Sequence, residues 1–92
     1  MTYKFIADGG HGWLRVPTKE LVELGIADMV SAYSSFSPDG NYTYLEEDCD
    51  ATLFIDAKDG DVKYTIQYVH IAKNIREVYP SYYSEYALTR FA

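Results

Sequence analysis

A turn signal at residues 37–41 constrains the fold of this chain more than any other feature. Ser37-Pro38-Asp39-Gly40-Asn41 combines a proline that fixes φ, a glycine that permits positive φ, and polar side chains that bond to the nearby backbone. Segments rich in strand-forming residues flank the turn at 30–37 and 42–45. The pattern therefore predicts a β-hairpin over 30–45, and with it an antiparallel sheet.

Three further segments alternate apolar and polar residues as strands do, at 2–7, 13–16 and 62–70. The glycine-rich segment 8–12 separates the first two, which predicts that they pair as a second hairpin. In the third segment, Val62, Tyr64, Ile66 and Tyr68 occupy one face. The sequence thus supplies four to five strands for one sheet.

Helices are predicted at 18–24 and 51–58. Thr18 is a candidate N-cap of the first, which Gly25 ends, while Asp50 can cap the second, which Gly60 ends. Residues 72–78 favour a helix that stops before Tyr79-Pro80, and 81–90 fit either a last helix or an edge strand. The sum is a single α+β domain over 1–92, an antiparallel sheet of four to five strands with two to three helices packed on one face.

Half of the acidic residues lie in one block. The chain has 14 acidic and 8 basic residues, a formal net charge of −6, which argues against a protein that grips nucleic acid through its phosphates. In 46–61, Lys58 is the only cation. The acidic block consists of Glu46, Glu47, Asp48, Asp50, Asp56, Asp59 and Asp61.

Helix capping explains only part of this block. Asp48 and Asp50 lie where negative charge favours a helix N-terminus. The other acids flank one short helix and are about 12–15 Å apart at a rise of 1.5 Å per residue. Such a ridge could present charge to a basic groove that normally holds nucleic acid, and a solvated acidic edge is the alternative. We take the seven acids as candidate binding residues.

The C-terminal third is mildly basic and rich in tyrosine. Residues 62–92 have a net charge of +2, and four tyrosines fall within 79–86. A tyrosine buries an apolar ring while its hydroxyl seeks a partner, so the cluster suits a core rim or an interface. The candidate binding residues here are Lys73, Arg76, Tyr79, Tyr82, Tyr83 and Arg90.

Segment 8–12 invites an enzymatic interpretation. Asp8 and His11 could act as an acid–base pair, and Gly10-x-Gly12 resembles the start of a dinucleotide-binding fingerprint. Arg15 stands where that fingerprint needs its third glycine, and a strand rather than a helix follows. We therefore predict no catalytic residue and no cofactor.

The acidic segment 46–50 offers oxygen ligands for Ca²⁺ or Mg²⁺, but no start position fits the EF-hand spacing, so no metal site is predicted. A small metal-dependent enzyme centred on Asp8, His11, Asp48 and Asp50 stays as an alternative that requires the two loops to converge. Another alternative is a structural or oligomeric accessory protein that uses the 79–86 tyrosines as its interface.

The chain has one cysteine, Cys49, so no intramolecular disulfide can form. Its start lacks the apolar segment of a signal peptide, and no stretch approaches the roughly 20 apolar residues of a membrane span. We expect a cytoplasmic protein without a membrane partner.

Two stretches together resemble small proteins encoded by phages and other mobile elements. The first is Asp8-Gly-Gly-His-Gly-Trp-Leu-Arg-Val16 followed by Glu20-Leu-Val-Glu-Leu-Gly-Ile26, and the second is Tyr44-Leu-Glu-Glu-Asp-Cys-Asp-Ala51 with Leu53-Phe54. The resembling proteins often carry Pro where this chain has Gly9. The resemblance covers residues 3–57, and its blocks bring no catalytic mechanism.

Among such proteins, a small acidic domain without enzyme motifs resembles the anti-CRISPR proteins. That resemblance implies a non-enzymatic inhibitor that binds the Cas proteins of a type I CRISPR-Cas surveillance (Cascade-like) complex stoichiometrically and interferes with target DNA recognition. The acidic block would meet Lys- and Arg-lined surfaces, and the basic C-terminal third allows contact with the guide RNA. No small-molecule substrate is expected.

Overall fold

Five strands form one sheet in the order β3-β4-β2-β1-β5 in the computed structural model, which describes residues 2–8, 10–68 and 75–92. The strands are β1 (Thr2–Ala7), β2 (Gly12–Pro17), β3 (Ser35–Phe36), β4 (Tyr42–Glu46) and β5 (Lys63–Tyr68). The α-helices are α1 (Thr18–Glu23), α2 (Ala51–Ala57), α3 (Ile75–Val78) and α4 (Ser84–Phe91), and a 3₁₀ turn spans Ala27–Met29. The predicted α+β class is confirmed.

The sheet is mixed rather than wholly antiparallel. β1 pairs antiparallel with β2, and β4 pairs antiparallel with both β2 and β3, as the two predicted hairpins require. β5 instead runs parallel to β1, with Tyr64 opposite Tyr3. The all-antiparallel prediction is wrong at this strand, because β5 reaches the sheet through the long connection that contains α2, and such a crossover permits parallel pairing.

The predicted strand over 30–37 is reduced to Ser35–Phe36. Residues 32–34 turn instead, and the hydroxyls of Ser31 and Ser34 both donate to the Asp50 carboxylate. Serine side chains that bond in this way compete with strand pairing. Asp50 occupies the predicted N-cap position of α2 but makes no side-chain cap bond. The predicted N-cap of α1 is wrong, because Pro17 holds that position and Thr18 donates its hydroxyl to Gly40 O (2.9 Å).

Alternating side chains give the sheet two faces. On the core face, Tyr3, Leu14 and Leu45 pack with residues of the helices, such as Leu21 of α1 and Phe54 of α2. Ala87 of α4 lies in the same cluster.

The other face carries a smaller cluster of Ile6, Trp13 and Ile75, the last from α3. We call this second side the open face. The expected two to three helices on one face are α1, α2 and α4, whereas α3 lies on the opposite face because its Ile75 completes the second cluster.

The sequence left two possibilities for residues 81–90, a last helix or an edge strand. Residues 84–91 form a helix, α4, and not an edge strand. The described part of the predicted helix over 72–78 is Ile75–Val78, and 72–74 lie outside the described residues. None of the helices within the described ranges combines the length and apolar character needed to cross a membrane.

Candidate functional site

Five of the seven acids in the acidic block are exposed, and they lie before, on and after α2. We call these five residues the acidic surface: Glu47, Asp48, Asp56, Asp59 and Asp61. The one cation of the block, Lys58, is directed at another element, since its Nζ lies 2.7 Å from Glu20 Oε2 and donates to Tyr3 Oη at 3.0 Å. The hydrogen bond to Glu20 raises the pKa of Lys58. Its charge therefore partners Glu20 and leaves the acidic surface without a cation from its own segment.

The remaining two acids are buried and hold the turn before α2. Glu46 Oε2 accepts the backbone N–H groups of Asp48 and Cys49, both at 3.0 Å. Asp50 accepts the Ser31 backbone N–H at 3.1 Å and the Ser31 hydroxyl at 2.7 Å. Glu46 and Asp50 are each 3% exposed, so they offer no surface to a partner.

The two loops of the enzymatic alternative do converge. Glu47 N donates to Gly12 O at 3.0 Å, and Gly12 N donates to Glu47 Oε1 at 3.2 Å. His11 Nδ1 lies 4.0 Å from Glu46 Oε1. Gly12 leaves no room for a side chain here, since a Cβ would lie 2.4 Å from the Phe5 ring. The glycine permits the close approach of the loops.

Asp8 is a structural junction within this region. Its Oδ1 accepts the His11 N–H at 3.0 Å, and its Oδ2 accepts Trp13 Nε1–H and the Ile75 N–H, both at 2.9 Å. Burial alone would raise the pKa of Asp8, but these hydrogen bonds together outweigh it and lower the pKa. The carboxylate thereby joins the loop, β2 and the start of α3.

Three neighbouring carboxylates, those of Glu46, Glu47 and Asp48, bring oxygen atoms within 4.8 Å of one another. Two of the three already accept backbone N–H groups, Glu46 from the turn and Glu47 from Gly12. Oxygens of these two carboxylates therefore hold the turn and the contact between the loops.

The tyrosines of 79–86 are mainly a core rim. Tyr82 is buried, its ring centroid lies 4.9 Å from that of Phe36, and its hydroxyl donates to Ala27 O. Burial raises the pKa of Tyr82 to about 12. Tyr86 also packs on Phe36, at 4.9 Å. Tyr83 is the exposed member of the set, at 55%.

Arg90 joins α4 to the turn at 37–41. Its guanidinium donates to Asn41 Oδ1 at 2.7 Å and also to Asp39 O and the Tyr86 hydroxyl. The side chain is exposed, yet its donors are directed at the protein itself. These hydrogen bonds hold α4 on the hairpin turn.

Arg76 lies among aromatic rings. Its Cζ is 5.8 Å from the Trp13 ring and 5.6 Å from the Tyr33 ring, which is cation–π distance. Lys73, the other predicted cation of this region, lies outside the described residues.

A groove on the open face was not predicted from the sequence. Its walls include Lys4 of β1 and Arg15 of β2, which stand directly opposite each other in the sheet. The strand register brings the two cations together, although they are 11 positions apart in the chain. The alternation that places Tyr3 and Phe5 in the core also predicts an outward Lys4, and the same alternation around Leu14 and Val16 applies to Arg15. Combining the two patterns would have located the pair.

β5 carries an exposed apolar stripe. Tyr64, Ile66 and Tyr68 are 49%, 54% and 75% exposed, although their alternation is that of a half-buried strand. Tyr64 packs on Phe5, with ring centroids 5.7 Å apart, and no described helix covers the stripe. β5 lies at the edge of the sheet, with β1 as its neighbour.

No protein-family model, curated protein or solved structure matches the chain.

Proposed function

We propose that the protein is a non-catalytic inhibitor that acts in the host cytoplasm and binds a type I CRISPR-Cas surveillance complex stoichiometrically, interfering with target DNA recognition. The acidic surface is the observation that carries this proposal. Five exposed carboxylates lie before, on and after one seven-residue helix, and the one cation of the segment, Lys58, is paired with Glu20.

The physical argument is electrostatic complementarity. A groove that holds DNA is lined by Lys and Arg, and the carboxylates on and around α2 present the same sign of charge as a phosphate strand. Such complementarity steers association and fixes orientation. Tyr83 and the aromatic-stacked Arg76 supply further contact groups toward Cas proteins and the guide RNA.

The test is the binding of the purified surveillance complex to two matched triple variants by interferometry at several salt concentrations. The first variant neutralises three acids of the acidic surface, Asp56→Asn, Asp59→Asn and Asp61→Asn. Asn suits position 59, where φ is +55°. The control neutralises three exposed acids on other elements, Glu23→Gln, Asp28→Asn and Glu85→Gln.

We expect the association rate of the first variant to fall about tenfold at low salt, the lower end of electrostatic steering, and that of the control to stay near the wild type. Association rates that are equal for the two variants, whether unchanged or equally reduced, would exclude charge mimicry as the basis of binding. A wild-type protein that does not bind the complex at all would refute the proposed function.

A second candidate function rests on the edge strand β5. An edge strand with exposed Tyr64, Ile66 and Tyr68 is a template for pairing with a second copy, as an oligomeric accessory protein of a virion or mobile element would need. Sedimentation at high protein concentration tests this on the wild type and two variants. Tyr68→Lys places a charge on β5, and the control Met29→Lys places the same charge on an exposed apolar residue elsewhere. A dimer lost only in Tyr68→Lys supports it, and a wild-type monomer contradicts it.

A further inference from the structure

The open face carries two cations whose placement has an energetic cost. Lys4 and Arg15 are direct cross-strand partners in the antiparallel pair of β1 and β2. Like charges in this arrangement destabilise a sheet. Neither of the ion pairs His11–Glu46 and Lys58–Glu20 includes Lys4 or Arg15. In a protein with a net charge of −6, two cations thus stand side by side on the open face.

Arg15 is held in a fixed position. Its Cζ lies 3.6 Å from the centroid of the Tyr42 ring, and it stands directly opposite Tyr44 in the pairing of β2 with β4. Tyr44 packs in turn on Tyr79, with ring centroids 5.4 Å apart. A guanidinium fixed on one ring presents its remaining N–H groups in a defined direction, which suits recognition of an oxyanion.

The groove that these side chains enclose has a volume of about 280 Å³. That is close to the lower end of the roughly 300–1,000 Å³ range of small-molecule sites. Ile6 and Ile75 provide an apolar part of the lining, whereas Gln67 adds a polar amide. We call it the cationic groove, and it is lined by Lys4, Ile6, Arg15, Tyr44, Gln67, Ile75 and Tyr79.

We propose that the cationic groove binds the phosphate group of a small ligand, with the phosphate between Lys4 and Arg15 and the rest of the ligand against Tyr44 and Tyr79. An anion there removes the like-charge repulsion, which the ligand-free protein bears. The groove is separate from the acidic surface, because α2 packs on the core face of the sheet. The proposal therefore does not depend on the proposed function.

The probes are inorganic phosphate and adenosine monophosphate, titrated at low salt into ¹⁵N-labelled protein. We expect saturable shifts of the amide signals of Lys4, Arg15 and Gln67. Tighter binding of the nucleotide identifies an organic phosphate as the ligand, and equal binding of both identifies free phosphate; either result supports the site. No saturable change at millimolar probe, or changes confined to residues outside the groove, would overturn it.

Lys4→Glu gives the proposal a sharper test, because two measurements should move in opposite directions. The substitution creates an opposite-charge pair with Arg15, so the thermal unfolding midpoint of the ligand-free protein should rise. Affinity for adenosine monophosphate should fall at least tenfold. Lys19→Glu, the same charge change on an exposed position of α1, should leave that affinity within twofold of the wild type.

Lys4→Gln removes the repulsion without adding a negative charge and keeps the test valid should the Glu variant fold poorly. It should also raise the midpoint and weaken binding. Equal affinities for the Lys4 variants and Lys19→Glu would refute the phosphate site.

Discussion

Replacing Asp8 by Asn separates a structural role of the glycine-rich loop from a catalytic one. The substitution keeps the side-chain shape but replaces one acceptor oxygen by an NH₂ group. If the NH₂ takes the place of Oδ2, it faces Trp13 Nε1–H and the Ile75 N–H, both of which now donate to Asp8 at 2.9 Å. Each buried donor left without an acceptor costs about 1–3 kcal/mol.

The expected loss follows from these two donors. Rotating the amide would restore them but orphan the N–H groups of Gly10 and His11, which are only partly buried. The protein will adopt the less costly arrangement, so we expect the free energy of unfolding to fall by about 2–4 kcal/mol. That is a large share of the roughly 5–15 kcal/mol typical of a domain.

Urea unfolding at neutral pH measures the loss, with Asp39→Asn as the matched control. Asp39 also accepts a hydroxyl and a backbone N–H, from Ser37 and Asn41, but in an exposed turn, so its loss should be clearly smaller. If the free energy of unfolding falls no further in Asp8→Asn than in Asp39→Asn, the role of Asp8 as a structural junction is refuted.

The pH dependence provides a second check. Because the pKa of Asp8 is lowered on folding, its carboxylate stabilises the protein above the unfolded pKa, and that stability is lost as pH falls through the folded value. The difference in the free energy of unfolding between the wild type and Asp8→Asn should therefore become smaller below about pH 4. A gap that stays constant from pH 7 to 3 would contradict this assignment.

Two further predictions concern the turns and the Lys58 contact. Gly40 and Gly25 both have positive φ, so Ala costs about 1–2 kcal/mol at each, but a Cβ at Gly40 would also lie 2.1 Å from the Tyr86 hydroxyl while Gly25 has open space. Urea unfolding should show a loss for Gly40→Ala at least about 1 kcal/mol larger than for Gly25→Ala, and equal losses would contradict the close contact. Because Glu20 raises the pKa of Lys58, the stability from their pair is present below the unfolded pKa near 10.4 and is lost at higher pH. Glu20→Gln should weaken this alkaline decline in thermal stability, and an unchanged decline would exclude the pair as its source.

The local parts of the fold could be predicted from the sequence, because short-range chemistry determines them. The β1–β2 hairpin follows from alternation around a glycine-rich loop, and Gly25 ends α1 with a φ of +74°. The parallel pairing of β5 could not be predicted, because its partner β1 is some 60 residues away.

The exposure of the acidic block was likewise predictable from the sequence only in part. Five members of the acidic block are exposed as expected of a charged segment, whereas Glu46 and Asp50 are buried. Asp50 accepts from Ser34 and Ser31, which are 16 and 19 residues away, and Glu46 accepts from its own turn. Ser34 connects the two, since it donates to Asp50 and accepts the Glu46 N–H at 3.0 Å. No pattern along the chain distinguishes a carboxylate that accepts such bonds from its solvated neighbour.

The net charge of −6 therefore conceals a separation of charge across the sheet. The acidic surface flanks α2 on the core side, while Lys4 and Arg15 lie on the open face. The sheet stands between the two surfaces, and physiological salt screens charges over a length of about 8 Å. We therefore expect the cationic groove to repel a basic partner at α2 only weakly. Occupation of the groove by phosphate should in turn leave partner binding unchanged, and a partner affinity that shifts with phosphate at constant ionic strength would show that the two surfaces are coupled.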